Sequence, residues 1–157
     1  MSRKGFTLIE LVMVLVLIGI IAAFAAPRMG DVTGTKAGAF ADKLRADIRY
    51  AQNLAMTRHL RHRVYFNSAP ATNPGYAVTD NTGAIVPDPA GGGVLSIALG
   101  VGDYAGITAA SPYPFIEFDS LGRPYDDAGS LLAAAVNVTI SPGPVTVNVT
   151  PQTGAVN

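Results

Sequence analysis

The sequence predicts an α+β chain: a long N-terminal helix, transmembrane and then amphipathic, packed on a C-terminal antiparallel β domain of about seven strands. Three observations carry that prediction. Phe6 to Ala26 is almost continuously apolar, broken only by Thr7, Glu10 and Gly19. Phe40, Leu44, Ile48, Ala51 and Ala55 then recur at spacings of three and four, the stripe of an amphipathic helix. Beyond Arg63 the chain breaks into short β-type runs bounded by Gly and Pro.

The first element is a short leader, residues 1–5, with two positive charges at Arg3 and Lys4. Residues 6–29 form the apolar helix, whose run is roughly 30 Å long at about 1.5 Å per residue, the thickness of a bilayer core. A secretory signal peptide fits poorly. The leader is very short, the apolar run is long, and an acid sits near its start. Pro27 also disfavours cleavage after Ala25-Ala26.

Residues 30–62 form the amphipathic helix, with Asp42, Lys43, Asp47 and Arg49 mostly off the apolar stripe. Gly30, Gly34 and Gly38 weaken it locally. Arg58, His59, Arg61, His62 and Arg63 suit the negative end of a helix dipole. The β domain, residues 63–157, has candidate strands at 63–66, 76–79, 84–86, 94–99, 115–119, 136–141 and 145–150. Asp80-Asn81-Thr82-Gly83 and Ser141-Pro142-Gly143-Pro144 read as hairpin turns. The last two strands alternate apolar and polar cleanly, so each has one buried face.

Composition narrows the function classes. Of 157 residues, 49% are hydrophobic and only 14% charged, an apolar surplus concentrated at the start of the chain. Cysteine is absent, which removes disulfides, thiolate metal sites and cysteine nucleophiles. Net charge is zero, yet ten of the 11 basic residues lie at or before Arg63, against four acids. Beyond Arg63, Arg123 stands against seven acids, a net charge of −6 that argues against direct contact with DNA. No Ser/His/Asp, metal-triad or nucleotide motif is present, so neither enzymatic activity nor a cofactor is expected.

Glu10 is the most informative residue. A carboxylate near the start of a membrane helix costs on the order of 3 kcal/mol, and such residues are functional by default. Cleavage after Gly5 would create an α-amino group on Phe6, a cation one helical turn from Glu10. Between axially staggered chains the two charges would neutralise each other and set the packing register.

Other candidates have plainer readings. Asp47 and Arg49 read as solvated helix charges rather than filament contacts. His59 and His62 lack a third ligand for a metal. Asp126-Asp127, or Asp80 with Asn81, fall short of the oxygen ligands that Ca²⁺ needs. Gly91-Gly92-Gly93 lacks the Lys-Ser/Thr of a phosphate loop. Asn137 and Asn148 match the glycosylation sequon but sit in strands.

Lys4-Gly5-Phe6-Thr7-Leu8-Ile9-Glu10, followed by the apolar run, resembles the class III signal of type IV pilins and type II secretion pseudopilins. That resemblance implies a prepilin peptidase that cuts after Gly5 and N-methylates Phe6, with Glu10 as the family's assembly acid and Pro27 as its helix proline. Gly19 and Pro27 would bracket the part of the helix that loses regularity in a filament. The helix from Phe40 to Ala55, with the segments Ile116–Pro124 and Val149–Val156, is similar to the GspH/FimT-type minor pseudopilin family. The expectation is a minor pseudopilin of a type II secretion pseudopilus, or alternatively a minor pilin of a type IV pilus. Its implied partners are other pilin or pseudopilin subunits, the peptidase, an inner-membrane assembly platform and, before assembly, membrane lipid. Its implied place is the bacterial inner membrane, spanned once, with a cytoplasmic N-terminus and a periplasmic C-terminal domain, and then the filament. Ala155 follows the terminal Thr153-Gly154, where a basic residue often stands in the family.

Overall fold

The computed structural model describes residues 7–25, 32–143 and 145–157. The leader, Gly5, Phe6 and Pro27 lie outside the described residues. The chain divides into two compact units, residues 1–32 and 33–157.

The first unit holds helix α1, Leu8–Ala25. Its 18 residues span about 27 Å at the α-helical rise. Among the described residues no helix is long and apolar enough to cross a membrane. The helix starts on Thr7, whose carbonyl accepts from the Glu10 and Leu11 amides at 3.1 and 3.2 Å. Its hydroxyl also lies 3.4 Å from the Glu10 amide. Thr7-Leu8-Ile9-Glu10 thus has the Thr-x-x-Glu spacing of a capping box. Leu8 is 83% exposed and Ile21 65%, and apolar side chains between them are exposed on every face. A helix apolar all round needs an apolar environment that this unit alone does not supply.

The second unit begins with most of helix α2, Val32–Arg58. Phe40, Leu44, Ile48, Ala51 and Ala55, the stripe read from the spacing, are fully buried, and Ala37 and Ala41 are buried with them. Strands β1 (His62–Phe66), β2 (Gly75–Thr79), β3 (Ser96–Ala98), β4 (Thr108–Ala110), β5 (Phe115–Phe118), β6 (Pro124–Tyr125), β7 (Val136–Ser141) and β8 (Val145–Val149) follow. They form a five-stranded sheet in the order β3-β2-β1-β5-β6 and a three-stranded sheet in the order β4-β7-β8. Every pairing between these strands is antiparallel. The α+β class and the helix-on-sheet architecture hold, with eight strands among the described residues where about seven were expected.

Differences at the level of strands have local causes. Residues 84–86 give only an isolated bridge, Ile85 to Thr79, with Val86 hydrogen-bonded to Val78 on one side and Leu95 on the other, and a second isolated bridge joins Pro87 to Val94. β4 and β6 are short and, at Thr108-Ala109-Ala110 and Pro124-Tyr125, poor in the branched residues that mark strands. In β7 the alternation holds residue for residue, with Val136, Val138 and Ile140 buried and Asn137, Thr139 and Ser141 exposed.

One core joins α2 to both sheets. Phe40 packs against Tyr76 and Tyr104 with ring centroids 5.9 and 5.4 Å away. Leu44, Ile48, Val64, Phe118, Val138, Ile140 and Val147 belong to the same buried cluster. Each such side chain contributes roughly 1.5–3 kcal/mol by burial. Asn67 ties the two sheets at their edge, donating from Nδ2 to the Ala109 carbonyl at 2.7 Å and accepting from the Gly75 amide at 2.9 Å.

Candidate functional site

Three arrangements carry the polar chemistry; the first goes beyond the sequence expectation of solvated charge at Arg49, and the second differs from that of a helix end at Arg61 and Arg63. The first is a row of donors along α2. Arg45, Arg49 and Gln52 follow one another at spacings of four and three, so they share a helix face. Arg45 donates to the Thr146 carbonyl at 3.1 Å and Arg49 to the Val156 carbonyl at 2.5 Å. The Gln52 amide donates to the carbonyls of Gly122 and Thr153 at 2.8 and 2.9 Å. Two turns that are far apart in sequence are thereby held beneath one side chain. A Cβ on Gly154 would stand 2.6 Å from the Gly122 carbonyl and 2.7 Å from the Gln52 amide nitrogen. The site therefore requires glycine for space, and its φ of +65° adds a conformational reason. Arg49 is exposed, as a helix surface charge is expected to be, and it also ties α2 to the Val156 carbonyl.

Asp47 corrects the same expectation. It is 4% exposed, accepts from the Tyr76 hydroxyl at 2.5 Å and pairs with Lys43 at 3.1 Å. Burial, then the charge of Asp47 and its hydrogen bond, push the Tyr76 hydroxyl far above its ordinary pKa, so it stays a donor. The spacing placed Asp47 off the stripe, but Tyr76 arrives from β2 and covers it.

The second arrangement lies on the outer face of the five-stranded sheet. Register places Arg63 opposite Glu117, and Glu117 opposite Tyr125. The Glu117 carboxylate is buried and accepts from Arg61 through one oxygen and from the Arg63 Nε through the other at 2.5 Å. Arg61 lies over the Tyr125 ring at 4.7 Å and Arg63 over the Phe115 ring at 5.2 Å. The hydrogen bond to Glu117 comes first among the causes that raise the Arg63 pKa. These arginines are not a helix end. α2 stops at Arg58, the chain reverses through His59 at φ +54°, and Arg61 and Arg63 leave on the strand side.

The histidines part company in the same reversal. His59 is exposed, while His62 is fully buried, with Nδ1 3.0 Å from the Leu60 carbonyl and Nε2 without a hydrogen-bond partner among the described residues.

Of the carboxylates considered for Ca²⁺, Asp80 and Asp126 are turn caps, while Asp127 is exposed. Asp80, Asp88, Asp119 and Asp126 each begin an Asp-x-x-Gly turn, and the glycine amide donates back to the aspartate carbonyl at 2.9–3.2 Å. The Asp80 carboxylate accepts from the Thr82 and Ala84 amides, and that of Asp126 from the Ala128 and Ser130 amides. Among the described residues no group of three or more His, Asp or Glu side chains is placed to hold a metal. Asn137 and Asn148, the two sequon positions, are cross-strand partners, with Asn148 Nδ2 donating to Asn137 Oδ1 at 2.6 Å.

The third arrangement is α1 itself. Glu10 lies in its first turn, the acid at the positive end of the helix dipole, and no other charge lies within the helix. Gly19 lies in regular helix, with nothing within 4 Å of where a Cβ would stand.

Comparison with known proteins bears on both units. Residues 1–26 match the family model described as the prokaryotic N-terminal methylation motif. The chain is 47% identical over 55 residues to the type IV narrow pilus major component PilA5 of Thermus thermophilus. That match takes in 35% of this chain, and it spans only about half, 47%, of the relative's length. The fold is similar to a crystal structure of the type IV minor pilin FimU of Pseudomonas aeruginosa, with a TM-score of 0.53. There the identity is 14%, over 78% of this chain and 87% of the other, which is a likeness of fold alone. The chain thus carries the N-terminal methylation motif at its start, and its fold around α2 is similar to that of a type IV minor pilin.

Proposed function

We propose that the chain is a minor subunit of a type IV pilus-type filament, anchored in the inner membrane before assembly and acting by packing rather than by catalysis. The observation that carries this reading is α1: apolar on every face, exposed from Leu8 to Ala23, and charged only at Glu10. Such a helix is consistent with lipid first and with the helices of sister subunits afterwards. The roles of single residues follow on the same reading. A prepilin peptidase cuts after Gly5 and methylates the new amine of Phe6. Glu10 supplies the counter-charge to that amine on a neighbouring chain, and Gly19 and Pro27 bracket a stretch of helix able to loosen. On this reading residues 1–5 are the leader, 6–29 the assembly helix, 30–62 the amphipathic helix together with the reversal that follows the end of α2 at Arg58, and 63–157 the β domain, whose first strand opens at His62.

The named relatives are pilus proteins, which favours the pilus over the secretion pseudopilus. The pseudopilus keeps one specific support, the similarity of the Gln52 helix and of the Gly122 and Gly154 turns to GspH/FimT-type sequences.

Replacing Glu10 separates its two uses. Glu10→Gln keeps the capping-box geometry but removes the charge, whereas Glu10→Ala removes both. Both variants are expected to insert in the membrane and lose their leader normally, and to fall at least about tenfold in incorporation, a charge contact worth about 1.4 kcal/mol or more. Normal incorporation of Glu10→Gln would rule out charge pairing.

A further inference from the structure

The outer face of the five-stranded sheet holds a cleft of about 250 Å³, bounded by Arg61, Arg63 and Glu117 on one side and by the Asp126–Gly129 turn on the other. That volume is below the roughly 300–1,000 Å³ of small-molecule pockets, so it suits one or two side chains rather than a cofactor. Its charges are segregated. Arg61 and Arg63 against Glu117 leave one positive charge at the floor, and Asp126 and Asp127 put two negative charges on the rim.

The floor is organised in advance. The Glu117 side chain is 5% exposed and fixes one N–H of each guanidinium. Tyr125 and Phe115 support the two guanidinium groups. Each guanidinium has five N–H donors, so most of them remain uncommitted. A planar carboxylate matches such donors in two-pronged fashion, and donors already held in place lose little freedom on binding. On the rim, the Asp126 carboxylate is occupied with its own turn through two amides. Asp127 is exposed and has no hydrogen-bond or ion-pair partner among the described residues.

We propose that this cleft binds an acid–base side-chain pair on a polypeptide segment of an adjoining subunit, with the carboxylate on Arg61 and Arg63 and the cation on Asp127. A simple anion is opposed by the rim and a simple cation by the floor, so the two charges are needed together. The identity of the partner as a subunit rests on the filament reading; the chemistry of the cleft does not.

The test is a calorimetric titration of the full chain, held as single subunits in detergent, with N-acetyl-glutamyl-lysine amide. Controls are the peptides in which glutamine replaces the acid or the base, and free glutamate. The acid–base peptide is expected to bind about tenfold more tightly than either neutralised peptide, roughly one charge-assisted contact each. Asp127→Asn, a change at an exposed side chain, should abolish the preference for lysine and leave that for glutamate. Arg63→Gln should abolish the preference for glutamate. Equal binding of the three peptides, no binding, or an unchanged lysine preference in Asp127→Asn would overturn the proposal. So would free glutamate binding as tightly as the blocked peptide, which would assign the cleft to a small molecule. Because these titrations need no filament, their failure leaves the Glu10 result standing, and the reverse also holds.

Discussion

Asp119 shows how much a single carboxylate does in this domain. One oxygen accepts from the Leu121 and Arg123 amides, each at 2.9 Å, and the other from the Arg123 guanidinium at 2.8 Å and the Tyr125 hydroxyl at 3.2 Å. Burial works to raise its pKa, but the hydrogen bonds from Arg123, Leu121 and Tyr125 outweigh it and hold the carboxyl below its ordinary range. Asp80 is held low as well, first by the Thr82 hydroxyl. The unfolded chain therefore takes up these protons before the folded one does. Their stabilisation is complete above the ordinary carboxylate pKa of about 3.9 and is lost as pH falls through the lower folded values. The urea midpoint of the full chain in detergent should hold from about pH 7 to about pH 5 and drop below that. Asp119→Asn should lower the neutral-pH stability by about 1 kcal/mol, since Arg123 is half-exposed and screened, and should shrink the acid drop. An acid limb unchanged in Asp119→Asn would contradict this role. At this scale the sequence was partly legible. The turn at Asp80 was readable from its own four residues, whereas the role of Gln52 was hidden because its carbonyl partners lie 70 and 101 residues away.

Among the elements, α2 organises the β domain through two faces rather than one. Its apolar stripe could be read from spacing alone, because burial follows the helical period. Its polar row could not, because Arg45, Arg49 and Gln52 are ordinary surface residues until the C-terminal segment is laid beside them. Strands sort in the same way. β7 and β8 alternate over five or six residues and were legible, but β4 and β6 exist through pairing with longer neighbours. Two substitutions test the clamp. Gly154→Ala should destabilise the chain by about 2–3 kcal/mol or more, from a positive φ and a forced contact with Gly122. Gln52→Ala should cost about 1–2 kcal/mol, by leaving two carbonyls without their donor. Thermal unfolding of the full chain in detergent reads both, and a Gly154→Ala midpoint equal to that of the parent would disprove the close approach.

Taken whole, the molecule divides its work between its two units. The residues 33–157 unit buries its apolar stripe and strand faces in one core and exposes only scattered large hydrophobics such as Val94 and Leu121, while α1 leaves large apolar side chains uncovered from Leu8 to Ile21. A chain that carries both is incomplete as a single soluble subunit, and the filament reading supplies the missing cover. The apolar run and Glu10 made this legible in sequence, whereas the cleft at Arg61 and Arg63 emerged only when β1, β5 and β6 were in register. The most direct measurement is peptide mass spectrometry of this chain recovered from sheared surface filaments. A filament subunit processed at Gly5 predicts a first peptide beginning with N-methylated Phe6. A first peptide beginning at Met1 or beyond Ala26, or the absence of the chain from the filament fraction, would contradict it.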